Sequence, residues 1–261
     1  MRLLFAALWA EVLKARRSKV SILSMAAFML FPMVDGLFMF ILKDPTRAKE
    51  MGLISVKAQL VSGVADWPTF FQVLLMGTGV GGAVLFAFIT AWIFGREFSD
   101  KTVKDLLALP TAREKIVSAK FFLAAVWILG LIMMIFAAGL VIGWFVSIPG
   151  WSIDLAISSF KSIYLIGILI IMVMPCVAFF ASAGRGYLPP LGWAFLTLGL
   201  SQIAIVMGWG DWFPWSVPAL LTGFSGQPAE LEIHSYLVVL FVFGIGLGAT
   251  YNWWRRADQA R

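Results

Sequence analysis

Six stretches of this chain run apolar for about 20 residues or more, the length an α-helix needs to cross roughly 30 Å of hydrocarbon. They fall at 20–42, 69–95, 119–146, 160–183, 187–208 and 234–254, each with at most one charged residue. None shows the period-two alternation of a transmembrane strand, so a membrane barrel is excluded. The pattern predicts an all-α integral membrane protein with six transmembrane helices. Residues 1–261 read as one transmembrane domain with no internal repeat.

Ahead of the first run, MRLLFAALWAEVLKARRSK is polar and apolar at helical spacing. Glu11, Lys14 and Ser18 share one stripe, Leu4, Leu8 and Val12 fall opposite, and Trp9 suits a membrane interface. An amphipathic helix lying along the membrane is expected, with a straight extension of the first span as the alternative. A cleavable signal would place its basic residues before the apolar run and small residues after it, and this segment is not patterned that way.

Between the second and third runs lies a charged insert, residues 96–118, where a bilayer-spanning chain needs only a turn. Asp100 is read as the cap of a short helix starting at Lys101, in which Val103, Leu106 and Leu107 form an apolar stripe and Pro110 marks the end. Thr111 with Glu114 three residues on reads as a capping box leading into the third span. An apolar stripe with two start signals predicts a docking element for a soluble partner; a hairpin resting on anionic lipid is the plainer alternative.

Composition and charge fix the solvent and the orientation. The chain is 61% hydrophobic with a mean hydropathy of +0.92, and 13% of its residues are charged, about half the usual fraction of ~25%. Fifteen of the 20 Lys and Arg fall on the side shared by both termini, leaving Lys43, Arg47, Lys49, Lys57 and Lys161 opposite. The positive-inside bias therefore predicts cytoplasmic termini in a cell (plasma) membrane. The net charge of +6 is accounted for by topology and anionic membrane lipids, with no nucleic acid implied.

Catalytic chemistry is hard to assemble. Cys176 and His234 are each the single residue of their type, which rules out a disulfide framework and a thiolate or imidazole metal cluster. No G-x-x-x-x-G-K-[ST] is present to cradle phosphates. Gly77, Gly79 and Gly82 satisfy G-x-G-x-x-G but lie inside an apolar run, where glycines let helices approach closely. Gly77, Gly81, Gly82, Gly244 and Gly248 are assigned this role. No catalytic, cofactor or metal site is expected in this chain.

Asp35 is the acidic residue deep in a span, and insertion at depth costs on the order of 2.5 to 3.5 kcal/mol. It is read either as a cargo-path or dimer-interface contact or as a position reaching water; Gln72 and Gln202 are weaker candidates. The outer loop 43–68 mixes charges with short apolar pieces and has room for one small helix. The outer segment 209–233 carries Trp209, Trp212 and Trp215 among prolines, with no Lys or Arg. It reads as an interfacial belt on a short helix or re-entrant hairpin, with Trp212 and Trp215 on a possible substrate path. Pro175 is expected to kink the fourth span.

Three places carry a resemblance to the permease subunits of type-2 ABC transporters, in particular the bacitracin-resistance and lantibiotic-immunity branch. AEVLKARRSKV, Ala10 to Val20, looks like that branch's basic elbow helix. Glu97, Lys101, Thr102, Leu106, Pro110, Arg113 and Lys120 are spaced like its cytoplasmic coupling region, and FPWSVP, Phe213 to Pro218, is similar to a motif before the last span. The resemblance covers essentially the whole chain. It departs at Lys101, where many such permeases have Gly.

The resemblance implies a coupling helix between spans 2 and 3, seated on a separately encoded ATP-binding subunit that holds ATP and Mg, and a dimer with a second permease copy. ATP-driven closure would then move an amphiphile, such as a peptide antibiotic, lipid or drug, outward. An ion-coupled secondary transporter is the alternative, and it calls for buried ionisable residues on several spans. An intramembrane enzyme would need convergent acids or a metal site, which the sequence does not supply.

Overall fold

Ser18 divides the first helical stretch in two. Helix α1 (Arg2–Arg17) ends there and α2 (Lys19–Lys43) starts beyond it; the Ser18 backbone is extended and its hydroxyl accepts the Val20 N–H at 3.1 Å. A capping serine satisfies an amide that the first helical turn leaves without a partner. The N-terminal segment is thus a separate helix and not a straight extension of the first span. A computed structural model describes residues 2–44, 64–107, 111–223 and 231–256, and the regular elements among them are helical. Most of the outer loop 43–68, including Arg47, Lys49 and Lys57, lies outside the described residues.

The second span has three parts. Helix α3 (Trp67–Met76) is capped by Asp66, whose carboxylate accepts the Thr69 N–H at 2.9 Å; a π-helical turn (Gly77–Gly81) follows, and α4 (Gly82–Ser99) completes it. Then come α5 (Val103–Leu107), α6 (Arg113–Val146), α7 (Ile153–Ala183) and α8 (Leu188–Val206). A 3-10 turn (Gly210–Trp212), the short α9 (Val217–Leu220) and α10 (Ile233–Arg256) close the described fold.

Six of these segments are long and apolar enough to cross a membrane: α2, α3 through α4, α6, α7, α8 and α10. They match the six expected runs, although two start earlier. Span 3 begins at Arg113 instead of residue 119, and span 4 begins at Ile153 instead of residue 160 because the Ser152 hydroxyl accepts the Leu155 N–H at 3.1 Å. At 1.5 Å per residue α6 is about 51 Å long and α7 about 46 Å, well beyond the hydrocarbon thickness, so both tilt or project.

Helix α7 is central, packed along α10, α4, α6 and α8. It stays helical through Pro175, and α10 approaches closely there: a Cβ on Gly246 would lie 2.9 Å from Pro175 Cβ. The expectation for Gly77 and Gly81 holds, since a Cβ on either would meet the Phe31 ring of α2 at 3.0 and 2.9 Å. The expectation for Gly244 and Gly248 does not hold within the chain. Both look onto open space, because the helical phase of α10 turns Gly246 inward instead.

Four helices end in the same hydrogen-bonded turn, with the cap or the residue after it in the left-handed region. After α4, Lys101 (φ 58°) donates to Phe98 O and Thr102 to Glu97 O; after α6, Ser147 (φ 56°) donates to Trp144 O and Ile148 to Gly143 O. After α7, Arg185 (φ 53°) and Gly186 repeat the pattern, as Gly208 (φ 78°) and Trp209 do after α8. This double bond retrieves two of the carbonyls a helix end leaves free. Lys43 adds to the second of these turns, its ammonium donating to Val146 O at 2.8 Å and Ser147 O at 2.9 Å.

Candidate functional site

Helices α1, α4 and α6 meet on a buried cluster of two acids and two bases. Lys120 Nζ, wholly buried on α6, donates to both Glu97 carboxylate oxygens at 2.9 Å, to Ile93 O at 2.8 Å and to Glu11 Oε2 at 3.2 Å. Lys14 Nζ donates to Glu11 Oε1 at 2.7 Å and to Glu97 Oε1 at 3.0 Å. The four charges sum to zero. A buried ion needs partners of opposite sign and full hydrogen bonding to offset its lost hydration, and here each has both.

Burial works against the Lys14 ammonium, but the Glu97 and Glu11 carboxylates outweigh it and hold its pKa above the ordinary lysine value. A raised folded-state pKa contributes stability that is complete below the unfolded value and fades only as pH climbs through the folded one. Lys14 therefore stays charged throughout the physiological range.

The cluster reverses the expected role of the α1 stripe. Glu11 is 5% exposed and turned into the protein, whereas Phe5 (74%) and Trp9 (60%) face outward. The apolar side of α1 is the outer side because the polar side has its partners inside.

Directly after Glu97 the chain leaves the bundle. Asp100 does not start the coupling segment as expected; it is the C-terminal cap of α4, within 3.8 Å of Arg96. The backbone reverses at left-handed Lys101, and the short helix begins two residues later, at Val103. Thr102 closes the turn by donating its N–H to Glu97 O at 2.9 Å, so Glu97 serves the charge cluster by its side chain and the turn by its backbone. Val103 is half-buried, Lys104 and Asp105 are exposed, and the side chains of Leu106 and Leu107 lie outside the described residues, as does Pro110.

The far end of the segment is held separately. Helix α6 is preceded by Ala112 with no side-chain cap, so the box predicted from Thr111 and Glu114 does not form. Arg113 instead reaches the end of α10, donating to Trp254 O at 3.2 Å, and Glu114 pairs with Arg255 at 3.3 Å. The described residues at the two ends of the segment 98–112 are thus anchored, Glu97 on α1 and α6, and Arg113 with Glu114 on α10.

The left-handed turn explains why glycine suits the position of Lys101. An L-residue there costs about 1–2 kcal/mol that glycine avoids. Lys101→Gly is expected to raise thermal stability or leave it unchanged, and to leave the α4 end intact. A thermal melt of the detergent-solubilised chain checks this, and a fall of several degrees would show that the lysine side chain has a role beyond the turn.

Asp35 lies well away from this cluster. It is 3% exposed, and neither carboxylate oxygen has a hydrogen-bond partner. It lines a crevice of about 680 Å³ between α2 and the α3 and π-helical part of span 2, otherwise walled by apolar residues and glycine. Gln72 is half-buried on α3 and is not part of that lining, so the two are not brought together.

At the opposite end from the cluster, the tryptophan segment splits. Trp209 and Trp212 are exposed as an interfacial belt requires, and Trp212 stacks on His234 at 4.3 Å between ring centroids. His234 also contacts Asp211 Oδ2 at 3.0 Å, a structural pairing. Trp215 turns inward against Trp193 at 5.5 Å and sits opposite the π-helical turn at Gly79, so it is a packing residue and no part of the belt. The segment is built from the 3-10 turn and α9, with residues 224–230 outside the described residues.

Sequence reasoning found Glu97 and Lys120 only as members of the insert pattern and missed their partners. The available signal was Lys120, the single charge in the third apolar run, together with the i, i+3 pair Glu11 and Lys14. The chain matches the ABC-2 family transporter protein pattern over residues 7–201, a range that holds all four charges of the cluster. It is also 25% identical over 180 residues to a bacitracin transport permease protein of Bacillus licheniformis, covering 68% of this chain and 85% of that protein.

Proposed function

Because the chain belongs to the ABC-2 family of transporters, and is thus a multi-pass membrane permease of an ABC transporter, we propose that it exports an amphiphile and is driven through the segment 98–112 by a separate ATP-binding subunit. Both termini and this segment lie on the cytoplasmic side. The ATP-binding subunit holds the ATP and Mg, and a second permease copy completes the path. Kinship with a bacitracin permease favours a peptide antibiotic or a similar amphiphile as cargo.

The observation that carries this reading is the anchoring of the segment. The Glu97 carbonyl closes the turn at its start, and the Glu97 carboxylate is bonded to Lys14 of α1 and Lys120 of α6. A push on α5 therefore reaches spans 2 and 3 and the N-terminal helix together. A free loop would absorb the same push by bending.

The chain has no phosphate-binding loop of its own. Purified alone it is expected to hydrolyse no ATP, while the complex with its ATP-binding subunit hydrolyses ATP and moves cargo in proteoliposomes. Robust hydrolysis by the isolated, contaminant-free chain would sink the reading.

A further inference from the structure

We propose that the crevice floored by Asp35 binds the ammonium or guanidinium group of a cargo amphiphile, entering sideways between spans 1 and 2. This rests on the reading of the chain as an amphiphile exporter and names the chemistry its cargo presents.

The first observation is the carboxylate itself. Asp35 is almost wholly buried, lines the crevice, and has no hydrogen-bond partner on either oxygen. A buried carboxylate without donors is costly, and a cation that brings its own N–H donors removes that cost.

The second is the absence of a counter-charge among the described residues. Lys43 is eight positions along the same helix, about 12 Å away at 1.5 Å per residue, and its ammonium is occupied by two carbonyls at the end of α6. Lys120 is held in the cytoplasmic cluster by Glu97 and Glu11. Lys161 is exposed on α7, a helix that contributes nothing to this lining.

The third is the shape of the site. Leu30 and Val34, 58% and 62% exposed, stand at its mouth, so the opening faces out of the bundle where hydrocarbon lies. Phe31, Val73 and Val80 wall the interior. The glycines of the π-helical turn let the Phe31 ring lie against span 2. Apolar walls suit an alkyl or aromatic body, and one placed carboxylate selects the sign of its head. A phenyl ring beside a desolvated ammonium adds cation–π attraction.

The experiment uses the full chain in phosphatidylcholine nanodiscs and three C12 probes with a tail diazirine: a dodecylammonium, a dodecanol and a dodecyl sulfate. After irradiation, mass spectrometry maps the adducts. The ammonium probe is expected to label peptides spanning 30–38 and 73–81 at least tenfold more than the other two. Asp35→Asn removes that preference and leaves the neutral level. Val34→Trp, which narrows the mouth and keeps the carboxylate, lowers ammonium labelling several-fold, and decides the matter alone if Asp35→Asn does not fold.

Equal labelling by the three heads overturns the proposal, as does a preference that survives Asp35→Asn. So does a crevice that no probe reaches, the result expected if a second copy lies across it. Labelling needs no ATP, which separates the two readings. A labelled crevice in a complex that exports no dodecylammonium would leave the site standing and sink the exporter, and export without head-group preference would do the reverse.

Discussion

Replacing Lys120 by methionine is expected to destabilise the chain by about 3–5 kcal/mol, the cost of leaving a buried ion without its partner. The side chain fills similar volume, so packing is nearly kept and the loss is electrostatic. Four contacts vanish at once: two to Glu97, one to Ile93 O and one to Glu11. Two carboxylates would then share the single ammonium of Lys14 in a site where Glu97 is 2% exposed. Adding Glu97→Gln to Lys120→Met should restore much of the stability, because one acid then faces one base. Unfolding of the single and double variants in mild detergent measures this as a coupling energy. Additive losses would show that the four residues are neighbours and not a unit. In the assembled transporter, Lys120→Met should also lower transport per ATP hydrolysed, since it loosens the anchor beneath the coupling segment.

Leu106→Asp together with Leu107→Asp is expected to abolish co-purification with the ATP-binding subunit and, with it, transport. Each leucine buried against a partner contributes about 1.5–3 kcal/mol, and the two new carboxylates would have to be desolvated as well. Helix α5 has only five residues, and Lys104 and Asp105 are on its exposed face, so the two leucines are a large share of its apolar surface. Insertion should survive, because the six spans and the basic residues that orient them are untouched. A variant that keeps both partner and activity would mean the stripe rests on lipid.

The six spans were legible because a run of about 20 apolar residues has few other uses. Two of their starts are not, since α7 begins at the Ser152 cap and α6 begins at Arg113 inside the charged insert, and neither signal appears in hydropathy. The position of the insert is legible, but the direction of its first turn is not. Asp100 is as good a residue for starting a helix as for neutralising Arg96 at the end of one, and only the backbone reversal at Lys101 separates the two. The charge cluster was illegible for a different reason. Its members come from three segments far apart in sequence, and spacing arguments reach no further than one helix face. Trp215 misleads in the same way, because the tryptophans it is grouped with by sequence, Trp209 and Trp212, are exposed, whereas its neighbour in space, Trp193, is on another helix.

The same cluster sets an order of assembly. Glu11 leaves the ribosome 109 residues before Lys120, and Lys14 leaves 83 residues before Glu97. At synthesis rates of about 5–20 residues per second, Glu11 waits roughly 5 to 20 s for its distant partner. Until then the 2.7 Å bond between Lys14 and Glu11 pairs those two charges within the helix. The N-terminal helix is therefore the first piece made but is fully fastened only once the start of span 3 has emerged, and a nascent chain stalled before span 3 would carry it without its Lys120 latch.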